Sequence, residues 1–222
     1  TGRREERLSA VKADLEKAYQ ATVWTYPMDV TKIDQVTGVC QQILEEVGFV
    51  DILVNNAGLA LGLENFQDYV VEDMLTMFDT NVKGLMLVTR QILPQMVDRN
   101  LGHIINIGST AGIYAYGGAA VYSATKAAVK VLSDGIRIDT IATNIKVTTV
   151  QPGLVETGFS LVRFHGDEER AAQFYKGIEA LQAQDIADII LYIANQPRRV
   201  QISDITIMAN QQATGFTIHR EN

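Results

Sequence analysis

Short apolar runs alternate along this chain with stripes of apolar residues at helical spacing, and this alternation restricts the fold more than any other feature. Residues Phe49 to Val54, His103 to Ile107, Ile145 to Val150 and Ile202 to Met208 read as strands. Ala21 to Met28, rich in β-branched and aromatic residues, reads as another. Between them lie helical patterns. Leu8, Val11, Leu15 and Tyr19 mark a one-sided helix over 4–20, and Ile33, Val36, Cys40, Ile43, Leu44 and Val47 mark a second, stopped by Gly48. Residues 70–99 read as one long or kinked helix, interrupted near Asn81 and Gly84 and again at Pro94. Further helices run from Tyr122 toward Thr143 and from Gln184 to Ala194. The run at 49–54 is too continuous for a half-exposed strand, so the pattern predicts a parallel sheet covered on both faces: a doubly wound α/β fold.

Ligands of such sheets sit beyond the carboxyl ends of the strands. Asp29, Asn55 to Gly58, Ser109 and Pro152 to Thr157 all follow predicted strands, so distant segments converge on one edge. The stretch from Gly102 to Lys130 holds the reactive groups. Its strand leads to Ser109; thirteen residues later Tyr122 opens a helix, with Lys126 four positions on. Positions i and i+4 share a helix face, which sets the lysine ammonium beside the tyrosine hydroxyl. A free phenol ionises near a pKa of about 10. A nearby cation is expected to lower that value and make Tyr122 a usable general acid or base.

Composition narrows the partners. A net charge of -7 and a pI near 5.0 oppose binding to nucleic acid or anionic membranes, while leaving small metabolites open. No run of about 18 apolar residues or signal peptide is present. One cysteine, Cys40, allows no internal disulfide and fits a cytoplasmic protein; its place on an apolar stripe reads as a buried thiol. One domain over 1–222 is expected, with no metal site.

Asn55-Asn56-Ala57-Gly58, Asn81, Ser109, Tyr122-x-x-x-Lys126 and Pro152-Gly153, in this order, resemble the short-chain dehydrogenase/reductase superfamily over essentially the whole chain. The resemblance implies a Rossmann-type sheet and hydride transfer with a nicotinamide cofactor. Tyr122 would exchange a proton with the substrate oxygen, Lys126 would lower the tyrosine pKa and bind the nicotinamide ribose, and Ser109 would orient the substrate. Asn81 would hold a water that relays protons through Lys126, or else simply interrupt a helix. Thr110 competes with Ser109, but the family spacing selects Ser109. Tyr114 and Tyr116 line the pocket or merely pack. Asp29 and Val30 would flank adenine, Asn56, Ala57 and Gly58 would admit the adenosine ribose, and Pro152, Gly153, Val155 and Thr157 would cover the nicotinamide. Arg3 and Arg4 stand where an acidic residue would select NAD, which points to the 2'-phosphate of NADP.

The family's first strand and glycine-rich loop do not precede Thr1, so the resemblance implies an N-terminally incomplete domain, short by roughly 30 residues. DILVNNAGLALG, HIINIGSTAG, QPGLVETGFSLVRFHGD and TIHR are closest to the NADP-dependent 3-hydroxy acid dehydrogenases, a branch that includes serine and allo-threonine dehydrogenases. For that branch Arg163 pairs with the substrate carboxylate or is an exposed loop arginine. His103 and His165 read as structural, and His219 is in reach of a neighbouring subunit. A 3-oxoacyl or diketone reductase of the same superfamily and a non-catalytic NADP-binding redox sensor are the competing readings. The superfamily habit further implies a homotetramer packed through the Tyr122 helix and the 70–99 helix.

Overall fold

In the computed structural model, which describes residues 1–221, the helical stripes and apolar runs become α1 (Glu5–Tyr19), α2 (Ile33–Val47), β1 (Ile52–Asn55), α3 (Val71–Phe78) and α4 (Leu85–Arg99). There follow β2 (Gly102–Ile107), α5 (Ala120–Asp139), β3 (Ile145–Pro152), β4 (Val155–Glu156), α6 (Phe159–Arg163), α7 (Glu168–Tyr175), β5 (Leu181–Gln182), α8 (Ala183–Ala194) and β6 (Asp204–Ile207). The main sheet runs β1-β2-β3-β6 with every pair parallel, and β4 and β5 form a separate parallel pair. Side chains alternate between its faces. Ile104, paired with Val147, packs with Val36, Cys40, Val88, Ile92 and Met96 of α2 and α4. Ile105 and Val150 point the other way and meet Ile193 of α8, with Ile186, Ile189 and Ile190 around them. Helices therefore cover both faces, as a doubly wound sheet requires.

Several details depart from the sequence reading. Residues 21–28 form no strand: Gly2 alone pairs with this segment, through Gly2 N to the Tyr26 carbonyl (3.4 Å) and Met28 N to the Gly2 carbonyl (2.9 Å). One residue makes a bridge, not a ladder. Strand β1 starts later than expected and is half exposed, with Ile52 and Val54 at the surface, because among the described residues it pairs only with β2. Helix α1 forms, yet Val11, Leu15 and Tyr19 of its apolar stripe are exposed.

Pro94 does not break α4. It faces solvent, so the lost hydrogen bond falls on the side where water satisfies the freed carbonyl. Nor does the chain break near Asn81. A π-helical stretch, Asp79–Gly84, joins α3 to α4 and buries Asn81. Such wide turns often occur at functional sites.

Candidate active site

Strand β2 delivers Ser109 to the start of a short 3-10 turn, Thr110–Gly112, where its Oγ accepts from Ala111 N (3.1 Å) and donates to the Pro152 carbonyl (3.4 Å). The turn lies directly on α5. A Cβ on Gly112 would stand 2.7 Å from the Lys126 carbonyl carbon and oxygen, so only a bare Cα permits this approach. Gly112→Ala is therefore expected to destabilise the fold by about 1–3 kcal/mol and to lower kcat by moving Ser109 relative to Tyr122. Chemical denaturation and steady-state kinetics check the two effects.

Helix α5 buries both Tyr122 and Lys126. Their electrostatics reverse the sequence expectation. Burial pushes the Tyr122 phenol up to about 12, outweighing the opposing Arg163 charge and a Ser109 hydrogen bond. Lys126 donates to the Ile107 carbonyl (2.8 Å), and its Nζ stands 5.9 Å from the Tyr122 ring centre. Burial pulls the Lys126 ammonium down to about 8. The phenol is thus held protonated at neutral pH, as a proton donor.

Asn81 reaches across to the loop after β1. Its Oδ1 accepts from Leu59 N (2.8 Å), and its Nδ2 donates to the Leu59 carbonyl (2.8 Å) and to Thr125 Oγ1 (3.0 Å). Both amide protons are spent on protein, so a water bound by this side chain is left only the second Oδ1 lone pair. What the amide visibly does is fix the loop. It sets Gly58 so that a Cβ there would lie 3.3 Å from Asn81 Oδ1 and 3.4 Å from Lys126 Nζ.

Arg163, on α6, is 3 % exposed. Its guanidinium carbon lies 5.1 Å from the Tyr122 ring centre, 5.3 Å from Phe159 and 5.6 Å from Phe174. One terminal nitrogen donates to the Tyr116 hydroxyl (3.2 Å), while the buried Nε has no partner. No carboxylate pairs with it among the described residues. The exposed-loop reading is thereby excluded. A desolvated cation lacking a counter-ion, against the Tyr122 ring, is suited to an anionic ligand.

The histidines are otherwise engaged. His103 Nε2 meets Thr148 Oγ1 (2.9 Å) in the sheet core, and burial pulls its imidazole down to about 4. His165 Nε2 meets Asp73 Oδ2 (3.0 Å) at the surface, and His219 N donates to the Gln211 carbonyl.

Residues 1–167 match the family model for short chain dehydrogenases. The chain belongs to that family. The NADP-dependent 3-hydroxy acid dehydrogenase YdfG of Salmonella typhi is 45% identical over 222 residues, covering 99% of this chain and 88% of the relative. The NADP-dependent 3-hydroxy acid dehydrogenase of Schizosaccharomyces pombe is 38% identical over 219 residues, covering 99% and 85%. Among solved structures, the closed form of serine dehydrogenase complexed with NADP+ superposes with a TM-score of 0.91 at 42% identity, covering 99% of this chain and 88% of that one.

As a short chain dehydrogenase, the chain has residues that fit a nicotinamide dinucleotide at the carboxyl ends of its strands. Asn56, Ala57 and Gly58 are exposed there, with the bare Gly58 facing Lys126. Arg3 and Arg4 are exposed just before α1. Asp29 accepts from Thr31 N (2.9 Å) and Thr31 Oγ1 (2.8 Å); although burial works against it, these bonds and the Arg3 and Lys32 charges hold its carboxyl below the usual range. Val30 packs into the core beside it. Gly153 N donates to the Ile207 carbonyl (2.7 Å), Val155 pairs with Leu181, and Thr157 Oγ1 accepts from Phe159 N (3.2 Å) at the start of α6. These three shape the segment that leads to Arg163. Sequence reasoning missed the rings around that arginine, Phe159 and Phe174. Phe159 opens α6 and Phe174 lies near the end of α7, and neither position carries a local sign of what the ring faces.

Proposed function

We propose that residues 1–222 act as one NAD(P)-binding domain of an oxidoreductase that transfers a hydride between NADP and the 3-hydroxyl or 3-keto group of a small hydroxy acid. Arg163 carries this reading: a buried guanidinium with no carboxylate of its own, set against the ring of the candidate acid, supplies the site for a substrate carboxylate. Serine, allo-threonine and 3-hydroxyisobutyrate all carry a carboxylate beside a 3-hydroxyl. The names of the Salmonella and Schizosaccharomyces relatives support the same substrate class and cofactor.

Bound NADP(H) supplies or accepts the hydride. The chain manages the proton. In reduction Tyr122 Oη releases its proton to the carbonyl oxygen as that oxygen gains negative charge, and the resulting phenolate is stabilised by the Arg163 and Lys126 cations. In oxidation the phenolate takes the hydroxyl proton. Ser109 Oγ, next to Tyr122, orients the substrate oxygen by turning its hydrogen from the long bond to the Pro152 carbonyl (3.4 Å). Asn81 and Lys126 hold the Leu59 and Ile107 backbone on either side.

Arg3 and Arg4 favour NADP over NAD through the 2'-phosphate. Replacing both with alanine is expected to raise KM for NADP about tenfold while KM for NAD changes less than twofold; a parallel rise for both cofactors would remove the assignment. A homotetramer is proposed as well, supported by exposed apolar residues on α3 (Leu75, Phe78), α4 (Met86) and α5 (Val131, Ile138). No helix is long and apolar enough to cross a membrane, and a cytoplasmic location is part of the same proposal.

The test is NADPH absorbance with NADP and each of the three hydroxy acids, beside a 3-oxoacyl thioester and a diketone offered with NADPH. Turnover of the acids is the expected result. Turnover confined to the thioester or diketone would make the chain a reductase of those compounds, and NADPH binding without any turnover would make it a sensor.

A further inference from the structure

The C-terminal segment ends in a feature that catalysis as described does not use. Residues 209–219 fold back as a tight turn: Gln212 and Ile218 form an antiparallel bridge, Ala213 N donates to the Thr217 carbonyl (2.8 Å), and Thr214 Oγ1 accepts from Thr217 N (3.0 Å). Gln212 is buried and anchors the turn, accepting from Leu154 N (2.9 Å) and donating to the Gly215 carbonyl (3.3 Å). Gly215 lies on the loop before α5, where a Cβ would stand 3.0 Å from the Tyr114 carbonyl. At the tip is Phe216. Its ring is 57% exposed, yet it lies flat on Tyr116, with centres 5.1 Å apart and planes 10° from parallel.

Tyr116 is the residue whose hydroxyl holds the Arg163 guanidinium (3.2 Å), and no other hydrogen bond holds that guanidinium among the described residues. The backbone around Tyr116 is held, its carbonyl accepting from Ala119 N (3.1 Å) and the Gly118 carbonyl from the Tyr69 hydroxyl (2.5 Å), so the half-buried ring, packed on the Tyr122 cluster, is the part left for a neighbour to set. An external clamp on the ring therefore sets where the guanidinium points. We propose that Phe216 is a substrate-positioning residue that fixes Tyr116, and through it Arg163, for carboxylate recognition. The chain's C-terminal turn thus takes part in choosing acids over neutral alcohols. This inference rests on the reading of Arg163 as the carboxylate site.

The experiment compares KM and kcat for 3-hydroxyisobutyrate and for isobutanol, which differ by carboxylate against methyl, in Phe216→Ala, Phe216→Tyr and Tyr116→Phe, with thermal melts to verify folding. Phe216→Ala is expected to raise KM for the acid about three- to tenfold with kcat changed less than twofold, and Phe216→Tyr, which keeps the stack, is expected to restore it. Tyr116→Phe, which keeps the stack and removes the acceptor, should raise the same KM. In an Arg163→Met background the Phe216→Ala change should add nothing. An unchanged KM in Phe216→Ala, an equal rise for isobutanol, or the same increment without Arg163 would overturn the inference. If Arg163→Met is selective for acids while Phe216→Ala has no effect, the carboxylate site stands and only the clamp falls. If Arg163→Met shows no selectivity, both fall.

Discussion

Tyr122→Phe is expected to lower kcat in both directions by about 10²–10⁴, a loss of about 3–5 kcal/mol of transition-state stabilisation, while the fold and NADPH binding remain. The substitution removes one oxygen from a ring that already packs against Phe159 at 5.8 Å and lies in the cluster with Leu59, Ala60 and Met77, so the core loses little. What disappears is the group proposed to exchange a proton with the substrate oxygen. The ionisation of that group adds a signature. Because burial holds the phenol up at about 12, the protonated form dominates at neutral pH. Reduction uses that form, so its rate should stay flat between about pH 6 and 8. Oxidation needs the phenolate, whose fraction rises with pH throughout this range, so kcat/KM for oxidation should climb, up to about tenfold per unit. A phenol lowered by Lys126, as the sequence spacing alone predicts, would instead give an oxidation rate that levels off near neutrality. Rate profiles in both directions distinguish the two.

Arg163→Met is expected to raise KM for 3-hydroxyisobutyrate at least about 30-fold, since losing one member of a desolvated charge pair costs about 2–5 kcal/mol, and to change KM for isobutanol little. Methionine fills similar space among Phe159, Phe174 and Tyr122 without a charge. The unliganded protein should gain stability, or at least lose none, because a buried cation without a counter-ion is a cost to the fold. A raised or unchanged Tm together with an acid-specific rise in KM would be the mark of a residue kept for binding. A lower Tm with equal effects on both substrates would show that Arg163 merely packs.

The alternation of strands and helices was legible because periodicity is local, and it placed Ser109, Tyr122 and Lys126 together through strand ends and an i, i+4 pair. What was not legible depends on contacts far apart in the chain. Lys126 is four residues from Tyr122, yet the cation nearest the phenol ring is Arg163, forty-one positions away. Helical spacing identifies neighbours but not burial, and burial decides the direction of both pKa shifts. The same blindness affected Ile52 and Val54, whose apolar character implied two covered faces while pairing left them exposed. Asn81 looked like a helix break because a π-helical stretch has no simple sequence period. The clamp of Phe216 on Tyr116 spans one hundred residues and leaves no local trace.

The most direct test of the account is the ratio of kcat/KM for 3-hydroxyisobutyrate to that for isobutanol, with NADP and the full-length wild-type protein. A carboxylate received by Arg163 predicts a ratio of about 30 or more. A ratio near one would contradict the claim that this dehydrogenase recognises its substrate as an acid.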